Sequence, residues 1–324
     1  MEIGSFLGLD LINSGEYYDE PLIIARLNSA RAGIYHACRI YGCTSIHVPY
    51  YLCPTVEKFL IQNGIKVNSY FINNKFEPEG LEQRQGHAVL LVNYFGIISG
   101  DRMEELAIRF RNVVIDNSAA FFCNPVENCL NVYSPRKFFG VPDGCYVIGK
   151  DATDYVSEYK VDYSSDTSCF LLKRVEYGLD QTYKERMKNE ERIDRSGILQ
   201  MSSLTRMFLR SIDYQRAGKI RQENFLYAHG LFRNINLIDP TVSNDLASIP
   251  MVYPLVIEDF DLVTALRERK IYTGRLWSHI LQELNDEHVE TWLSSFLIPI
   301  PIDQRYSEED INFVFKIITD LRCR

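Results

Sequence analysis

Short apolar runs alternate with segments of helical period between about residues 28 and 150. Ala30, Ile34 and Ala37 recur with the spacing of one helix face, whereas Val113-Val114-Ile115 is a short continuous run. This alternation is typical of βα units and of a mainly parallel sheet. It predicts helices at 29–41, 54–62 and 101–110, and strands at 44–48, 66–72, 88–94, 113–116, 130–134 and 145–148.

The pattern changes after residue 150, where strand candidates become few. Two long amphipathic stretches, 167–195 and 198–230, precede an α+β portion. The link Asp194-Arg195-Ser196-Gly197 lies between them, so we predict a large domain over 1–195 and a small one over 196–324. Within the small domain the pattern predicts strands at 251–257 and 271–273, a helix at 260–269 and a terminal helix at 308–321.

Composition and charge exclude several classes of protein. The length of 324 residues agrees with two domains, at about 150 residues each. Hydrophobic residues make up 46% and charged residues 24%, which excludes a disordered or collagen-like chain. Lys and Arg number 35 against 43 Asp and Glu, a net charge of −8. That is the wrong sign for tracking a nucleic-acid backbone or an acidic membrane, although one pocket can still be locally positive for a small anion.

The cysteines and the N-terminus indicate a compartment. None of the eight cysteines forms a CxxC pair, and most stand among apolar residues. Buried free thiols in a reducing cytosol are therefore favoured over disulfides. The N-terminus lacks a basic region, and nowhere do about 18 uncharged apolar residues run together, so we expect a cytoplasmic protein. The cysteines are Cys38, Cys43, Cys53, Cys123, Cys129, Cys145, Cys169 and Cys323.

Small and polar residues open the first predicted helix, in Leu27-Asn28-Ser29-Ala30-Arg31. Unpaired N–H groups at a helix start form an anion site, and Arg31 adds positive charge to it. The alternative is an ordinary Asn or Ser N-cap with no ligand.

An acid follows the apolar run 113–115. Asp116 stands at the carboxyl end of this predicted strand. Ligands of open α/β sheets bind outside that edge, so Asp116 is a candidate site residue. The alternative is a turn or N-cap aspartate.

Lys137 stands in an apolar and rigid stretch of sequence. Phe138 and Phe139 follow it, and Pro135 and Pro142 lie on either side. Such surroundings predict a desolvated amine, which is the condition for a Schiff-base lysine. The alternative is a solvated surface lysine, as most lysines are.

Together the three features suit pyridoxal phosphate. Its phosphate needs N–H donors, its pyridine nitrogen needs a carboxylate, and its aldehyde needs an amine. A helix start, a strand-end acid and a downstream lysine supply these groups in that order along the chain.

The chain resembles the DegT/DnrJ/EryC1/StrS family of sugar aminotransferases. The resemblance is carried by LNSARAGIYHACRIYGCTSIHVPYYLCPTVEKFLIQNGIKV, VVIDNSAA and YSPRKFFGVPDGCYV, and extends to YPLVIEDFDLVTALRERKIYTGRLW and PIPIDQRYSEEDINFVFKII. It covers roughly residues 25–324. It implies fold type I of the pyridoxal phosphate enzymes, a mainly parallel seven-stranded-type sheet sandwiched by helices with a smaller C-terminal α+β domain.

The resemblance also implies roles for single residues. Lys137 becomes the Schiff-base lysine and proton shuttle, and Asp116 becomes the partner of the pyridinium nitrogen. A homodimer is implied, with each active site at the subunit interface. Phosphate contacts are implied for Ser29, Ala30, Arg31 and Ser134.

Three positions depart from the family pattern. Ala30 stands where glycine is usual in the helix-opening turn, and Ala119 stands where His or Gln often lies near the cofactor. Cys53 stands where an aromatic residue commonly stacks on the cofactor ring, a face that Tyr50 or Tyr51 can take over.

The remaining candidates are weaker. The six histidines form no HxxxH or HExxH spacing, so we predict no metal site. Arg305 either clamps a carboxylate or phosphate of the substrate or forms a structural pair with a neighbouring aspartate. The sequence contains no GxGxxG, P-loop, or Ser or Cys nucleophile motif, which argues against dinucleotide and nucleoside triphosphate enzymes.

The sequence therefore predicts an aminotransferase that uses pyridoxal phosphate. By resemblance it would move an amino group from a glutamate-like donor to a keto group of a nucleotide-linked sugar. Two alternatives remain open: a binding or scaffold protein that has lost transamination, and a dehydratase or lyase that uses the same cofactor.

Overall fold

The computed structural model describes residues 4, 6–241 and 248–322, and it contains one large mixed sheet. Its eight strands lie in the order β1-β8-β7-β6-β5-β2-β3-β4. All run parallel except β8 and β4, which are antiparallel to their neighbours. The strands are β1 Ile24–Leu27, β2 Ser45–Pro49, β3 Lys66–Ile72, β4 Pro78–Glu79, β5 Ala88–Val92, β6 Val113–Asp116, β7 Leu130–Tyr133 and β8 Cys145–Ile148.

Helices lie between β1 and β2, between β2 and β3, and between β5 and β6, which confirms the predicted α/β fold. They are α1 Ala30–Ile40, α2 Pro54–Gln62 and α3 Gly100–Ala107. Side-chain caps start two of them: Ser29 Oγ accepts from Ala32 N, and Ser99 Oγ accepts from Arg102 N. All five residues of β5 are buried, and β5 lies between β6 and β2 in the interior of the sheet.

α1 lies unusually close to the sheet. A Cβ placed on Gly33 would lie 2.7 Å from Cys145 Sγ and 3.1 Å from side-chain carbons of Val132 and Val147. Only glycine therefore allows this approach, and the approach fixes the N-terminus of α1 above the edge where β7 ends.

The amphipathic stretch that follows the sheet folds back on itself. α4 spans Cys169–Arg195 but is interrupted at Gly178, whose φ of 75° and ψ of −170° are not helical. The Lys173 Nζ and Glu185 Oε1 atoms lie 2.9 Å apart across this break, so the two halves form a helical hairpin. Next come α5 Ser203–Arg210 and α6 Tyr214–Phe232.

The C-terminal part is a small α+β unit. β9 Val252–Val256 and β10 Leu297–Pro301 form an antiparallel pair, and α6 packs against β9. α10 Glu308–Arg322 packs against α6 and against α7 Leu262–Glu268. The predicted strand at 271–273 is wrong: Ile271 N instead donates to Leu266 O and closes the end of α7. α8 Ile280–Glu283 and α9 Val289–Phe296 complete the unit.

One cluster of buried apolar residues continues from the large sheet into this unit, from Leu90 to Leu255 and Ile300. The division into domains at residue 195 stays a prediction. No helix within the described ranges is long and apolar enough to cross a membrane. None of the seven cysteines from Cys38 to Cys169 forms a disulfide among the described residues, and Cys323 lies outside those residues.

Candidate active site

The three features found in the sequence meet at one edge of the large sheet. β6 and β7 are parallel, and β1 and β7 are both antiparallel to β8. Ser29 follows β1, Asp116 ends β6, and the 3₁₀ turn Pro135–Lys137 follows β7. Because the carboxyl ends of parallel strands share an edge, the helix start, the acid and the lysine turn all leave the sheet on the same side.

Asp116 is a buried carboxylate at this edge. Its residue is 6% exposed, and Oδ1 accepts from Ser118 N at 2.9 Å. No Lys, Arg or His side chain of the described ranges forms an ion pair with it. Ser118 Oγ beside it is buried and has no hydrogen-bond partner in that part of the chain. A buried carboxylate of this kind favours a cationic or protonated ligand atom.

The start of α1 offers N–H donors to an anion. Ser29 takes up two of the first four N–H groups, because Ala32 N donates to Ser29 Oγ and Gly33 N donates to Ser29 O. Those of Ala30 and Arg31 find no acceptor within the helix itself. Ala30 is already helical, so the absence of glycine at this position causes no backbone strain.

The side chain of Arg31 is already engaged. Nη1 lies 2.6 Å from Asp194 Oδ1, and the guanidinium carbon lies 5.6 Å from the centre of the Phe59 ring. Nε is buried and has no partner among the described residues. The positive charge of Arg31 is therefore shared with a carboxylate, and the N–H of Nε is available to another acceptor.

Lys137 is exposed, so the expected desolvated amine is not found in the single chain. Its neighbours Pro135 and Phe138 are buried, and Phe138 N donates to Pro135 O at 3.0 Å. The apolar residues of this stretch thus pack inward and form the turn, while the lysine between them faces solvent. Arg136 Nη2 pairs with Glu190 Oε1 of α4 at 2.6 Å and fastens the turn to the hairpin.

The structure places the other predicted residues around this edge or away from it. Ser134 is buried directly before the lysine turn. Cys53 is half-buried at the start of α2, with Sγ 3.1 Å from Thr55 Oγ1. Tyr51 is fully buried in edge contact with Trp277, at 4.4 Å between ring centres, so it is a core residue.

Arg305 forms the structural pair that the sequence left as one alternative. Its Nε and Nη2 donate to the two oxygens of Asp303 at 2.7 and 2.8 Å. This pair lowers the pKa of Asp303 against the opposing effect of burial. A substrate role for Arg305 stays a prediction.

Sequence reasoning missed two polar residues at this edge. Ser118 was recognisable, because an aspartate two residues before it is typical of an Asx turn. Asp143 was not: it is fully buried and accepts from Ser202 N, Ser202 Oγ and Thr205 Oγ1. Burial raises the pKa of Asp143, although these hydrogen bonds oppose the shift. Asp143 joins the segment after Lys137 to the start of α5.

Comparison with solved structures identifies the fold. Sugar aminotransferase CalS13 from Micromonospora echinospora aligns with a TM-score of 0.62 and 14% identity over 92% of this chain and 87% of that chain. A DegT DnrJ EryC1 StrS aminotransferase from Brucella abortus gives 0.60 and 12% over 92% and 85%. E coli GDP-4-keto-6-deoxy-D-mannose-3-dehydratase with bound hydrated PLP gives 0.58 and 12% over 94% and 88%.

The chain has the fold of the pyridoxal phosphate transferases. No protein-family model matches the sequence, and no curated protein matches it. At identities this low, the solved structures establish the shared fold alone.

Proposed function

We propose that this chain is a pyridoxal phosphate-dependent aminotransferase. It would move an amino group from a glutamate-like amino acid to a keto group of a nucleotide-linked sugar, in polysaccharide or cell-surface glycan biosynthesis. The carrying observation is the buried Asp116, which has no ion pair among the described residues and shares its sheet edge with the start of α1 and the Lys137 turn. Sugar aminotransferases among the structures of the same fold support the substrate class.

The residues at the edge fit the cofactor. Asp116 supplies the carboxylate that a pyridine nitrogen needs, and Ser118 Oγ and Arg31 Nε are buried donors without partners in the described ranges. The first N–H groups of α1 suit a phosphate, with Ser134 buried nearby in the chain. Cys53 at the start of α2 would border the ring.

The proposed mechanism divides the chemistry between the cofactor and the chain. Bound pyridoxal phosphate supplies an aldehyde for the amino group and a ring that withdraws electrons. Asp116 would keep the ring nitrogen protonated. Lys137 Nζ would hold the cofactor covalently at rest. Once the amine of the donor displaces it, Nζ would carry the proton from the donor α-carbon to the cofactor C4′, and it would move a proton in the opposite direction when the keto group is aminated. Ser29, Ala30, Arg31 and Ser134 would fix the phosphate so that the amine and the α-carbon stay aligned.

We also propose a homodimer in which the partner covers the site. The exposure of Lys137 supports this, because proton transfer by an amine is most effective where bulk water is excluded. The location in the cytoplasm stays a prediction from the sequence.

A dehydratase or lyase that uses the same cofactor is the second candidate, since one structure of the shared fold is a keto-sugar dehydratase. Such an enzyme would use the same lysine but leave no nitrogen in the sugar. A protein that keeps the fold and lacks turnover is the third reading, suggested by Ala119 and Cys53 at positions where the family has other residues.

A covalent-trapping experiment tests the first proposal. Purified protein mixed with pyridoxal phosphate should gain an absorbance band, and borohydride should fix the cofactor on the peptide that contains Lys137. The Lys137→Ala variant should fold and gain no label, because its exposed side chain contributes little to stability. Failure of the wild-type chain to take up the cofactor would overturn both enzyme candidates.

Isotope transfer separates the two enzyme candidates. With ¹⁵N-glutamate and a panel of nucleotide-linked keto-sugars, the aminotransferase should produce a ¹⁵N-labelled amino sugar. A dehydratase should instead produce a deoxygenated sugar without ¹⁵N. Mass spectrometry of the products distinguishes these outcomes.

A further inference from the structure

The backbone of Phe138, the residue directly after Lys137, is held by two side chains from the C-terminal half. The carbonyl oxygen of Phe138 accepts from Gln304 Nε2 at 3.0 Å and from Arg221 Nη2 at 3.3 Å. Arg221 Nε in turn donates to Gln304 Oε1 at 2.8 Å. The Phe138 carbonyl oxygen, the Gln304 amide and the Arg221 guanidinium are therefore each hydrogen-bonded to the other two.

Arg221 is an unusual residue to find in this place. It lies on α6 and is 1% exposed, the bulkiest of the fully buried side chains. Its guanidinium carbon also lies 4.6 Å from the centre of the Phe138 ring, so the arginine contacts both the backbone and the ring of that residue. Its hydrogen-bond acceptors in the described ranges are neutral oxygens.

Burying this charge is costly. Desolvation lowers the pKa of Arg221 to about 10, which the charge of Asp303 partly offsets. Arg221 remains protonated at neutral pH. A hydrophobic residue of similar volume would fill the same space without that cost, so stability alone does not account for an arginine at this position.

Arg221 also connects the lysine turn to a second turn at the same edge. Nη1 donates to Met251 O at 3.1 Å, and Met251 N donates to Phe95 O at 2.8 Å. Phe95 lies in the 3₁₀ turn Tyr94–Gly96, soon after β5. The guanidinium thus joins the turn after β7, the turn beyond β5 and the loop between β10 and α10.

We propose that Arg221 and Gln304 are positioning residues for Lys137: by holding the Phe138 carbonyl, they set where the lysine turn presents its amine. This inference rests on the proposed function of Lys137. The rigid fork of arginine suits the task, because it directs donors to separate acceptors at fixed angles, which a lysine ammonium does not. The C-terminal half thereby takes part in the site without touching the cofactor.

Gln304→Glu is the decisive variant. The new carboxylate still accepts from Arg221 and pairs with its charge, but it cannot donate to the Phe138 carbonyl and faces that oxygen with negative charge. We expect an unchanged or higher melting temperature together with an about tenfold lower yield of cofactor trapped by borohydride at Lys137. A purely structural role predicts no such separation.

A second readout needs no cofactor. Acetic anhydride labels Lys137 and the exposed Lys150 in competition, and peptide mapping gives their ratio. Release of the turn changes the groups that surround this exposed amine and therefore its reactivity, so Gln304→Glu and Arg221→Lys should change the Lys137 share about threefold. Arg216→Lys, an exposed position on the same helix, is the matched control and should leave the ratio unchanged.

The outcomes separate this inference from the proposed function. If the wild-type chain traps no cofactor, the proposed function fails, and the labelling ratio alone decides on Arg221 and Gln304. An unchanged ratio in both variants overturns the positioning role. Should Arg221→Lys not fold, Gln304→Glu still decides the question, because it keeps the acceptor for the buried guanidinium.

Discussion

Arg31 and Asp194 form an ion pair with 2.6 Å between Nη1 and Oδ1. The arginine stands in the first turn of α1, and the aspartate stands at the end of α4. The side chain of Arg31 is 9% exposed and that of Asp194 is 53% exposed. Asp194, in the last turn of α4, therefore competes for the Arg31 guanidinium with any anion that binds at the start of α1.

Replacing Asp194 should strengthen anion binding. Asp194→Asn leaves the Arg31 guanidinium without its carboxylate, so the affinity for pyridoxal phosphate should rise about threefold, the effect of one partly exposed ion pair. Titration calorimetry measures this change. Glu191→Gln removes the same charge from the same helix, where it pairs only with Arg195 among the described residues, and it should change the affinity little. An equal gain in affinity in both variants would show instead that the loss of any negative charge on α4 strengthens binding.

Asp116→Asn should lower activity without lowering stability. The amide still accepts from Ser118 N, so the local turn survives, but the negative charge for a ring nitrogen is lost. We expect kcat to fall about 10²-fold to 10³-fold. The free energy of unfolding should stay equal or rise, because no buried carboxylate has to be desolvated. Steady-state kinetics and urea unfolding measure the two effects, and a loss of both would point to a structural role for Asp116.

The Glu77–Arg102 pair should make stability depend on pH. Arg102 Nε and Nη2 donate to both oxygens of Glu77 at 2.8 Å, and this lowers the pKa of Glu77 below its ordinary value. A lowered folded-state pKa stabilises the protein above the unfolded-state pKa, and this stabilisation is lost as the pH falls through the folded-state value.

Urea unfolding of Glu77→Gln at a series of pH values tests this linkage. At pH 7 the variant should be about 1 kcal/mol less stable than the wild type, and the difference should vanish well below pH 4. The control is Glu105→Gln, which removes the other carboxylate that pairs with Arg102. The Glu105 side chain is 63% exposed, so this variant should lose less stability. A difference that persists in acid would refute the ionic origin.

Gly33→Ala should push α1 away from the sheet. The new Cβ meets Cys145 Sγ at 2.7 Å, so we expect a loss of about 1–3 kcal/mol in the free energy of unfolding. Cys145→Ala removes the clashing atom and should restore part of the loss in the double variant. Gly230→Ala on α6, where a Cβ meets nothing within 4 Å, should be neutral or stabilising. If the losses in free energy of unfolding caused by Gly33→Ala and Cys145→Ala simply add in the double variant, the clash between these two positions is refuted.

Many bounds of the large sheet were predictable. α2, β3, β6 and β8 span the predicted residues, because short apolar runs that glycine, asparagine or proline interrupts leave few other ways to bury their side chains. The small sheet was harder. β10 contains Pro299 and Pro301, which argue against a strand. Among the described residues it pairs with β9 alone, so its other edge needs no N–H donors.

Asp116 and Lys137 each follow a predicted strand, which was enough to predict that they lie at one edge, because parallel strands end at one edge. The sequence determined that much. The strand before Ser29, β1, was not predicted, and only the structure places Ser29 at that edge. The tertiary structure alone decided that Lys137 faces solvent, that Arg31 pairs with Asp194, and that Arg221 holds the Phe138 carbonyl. These contacts join residues far apart in the chain, and exposure depends on which elements pack over a turn, which no local pattern of residues specifies.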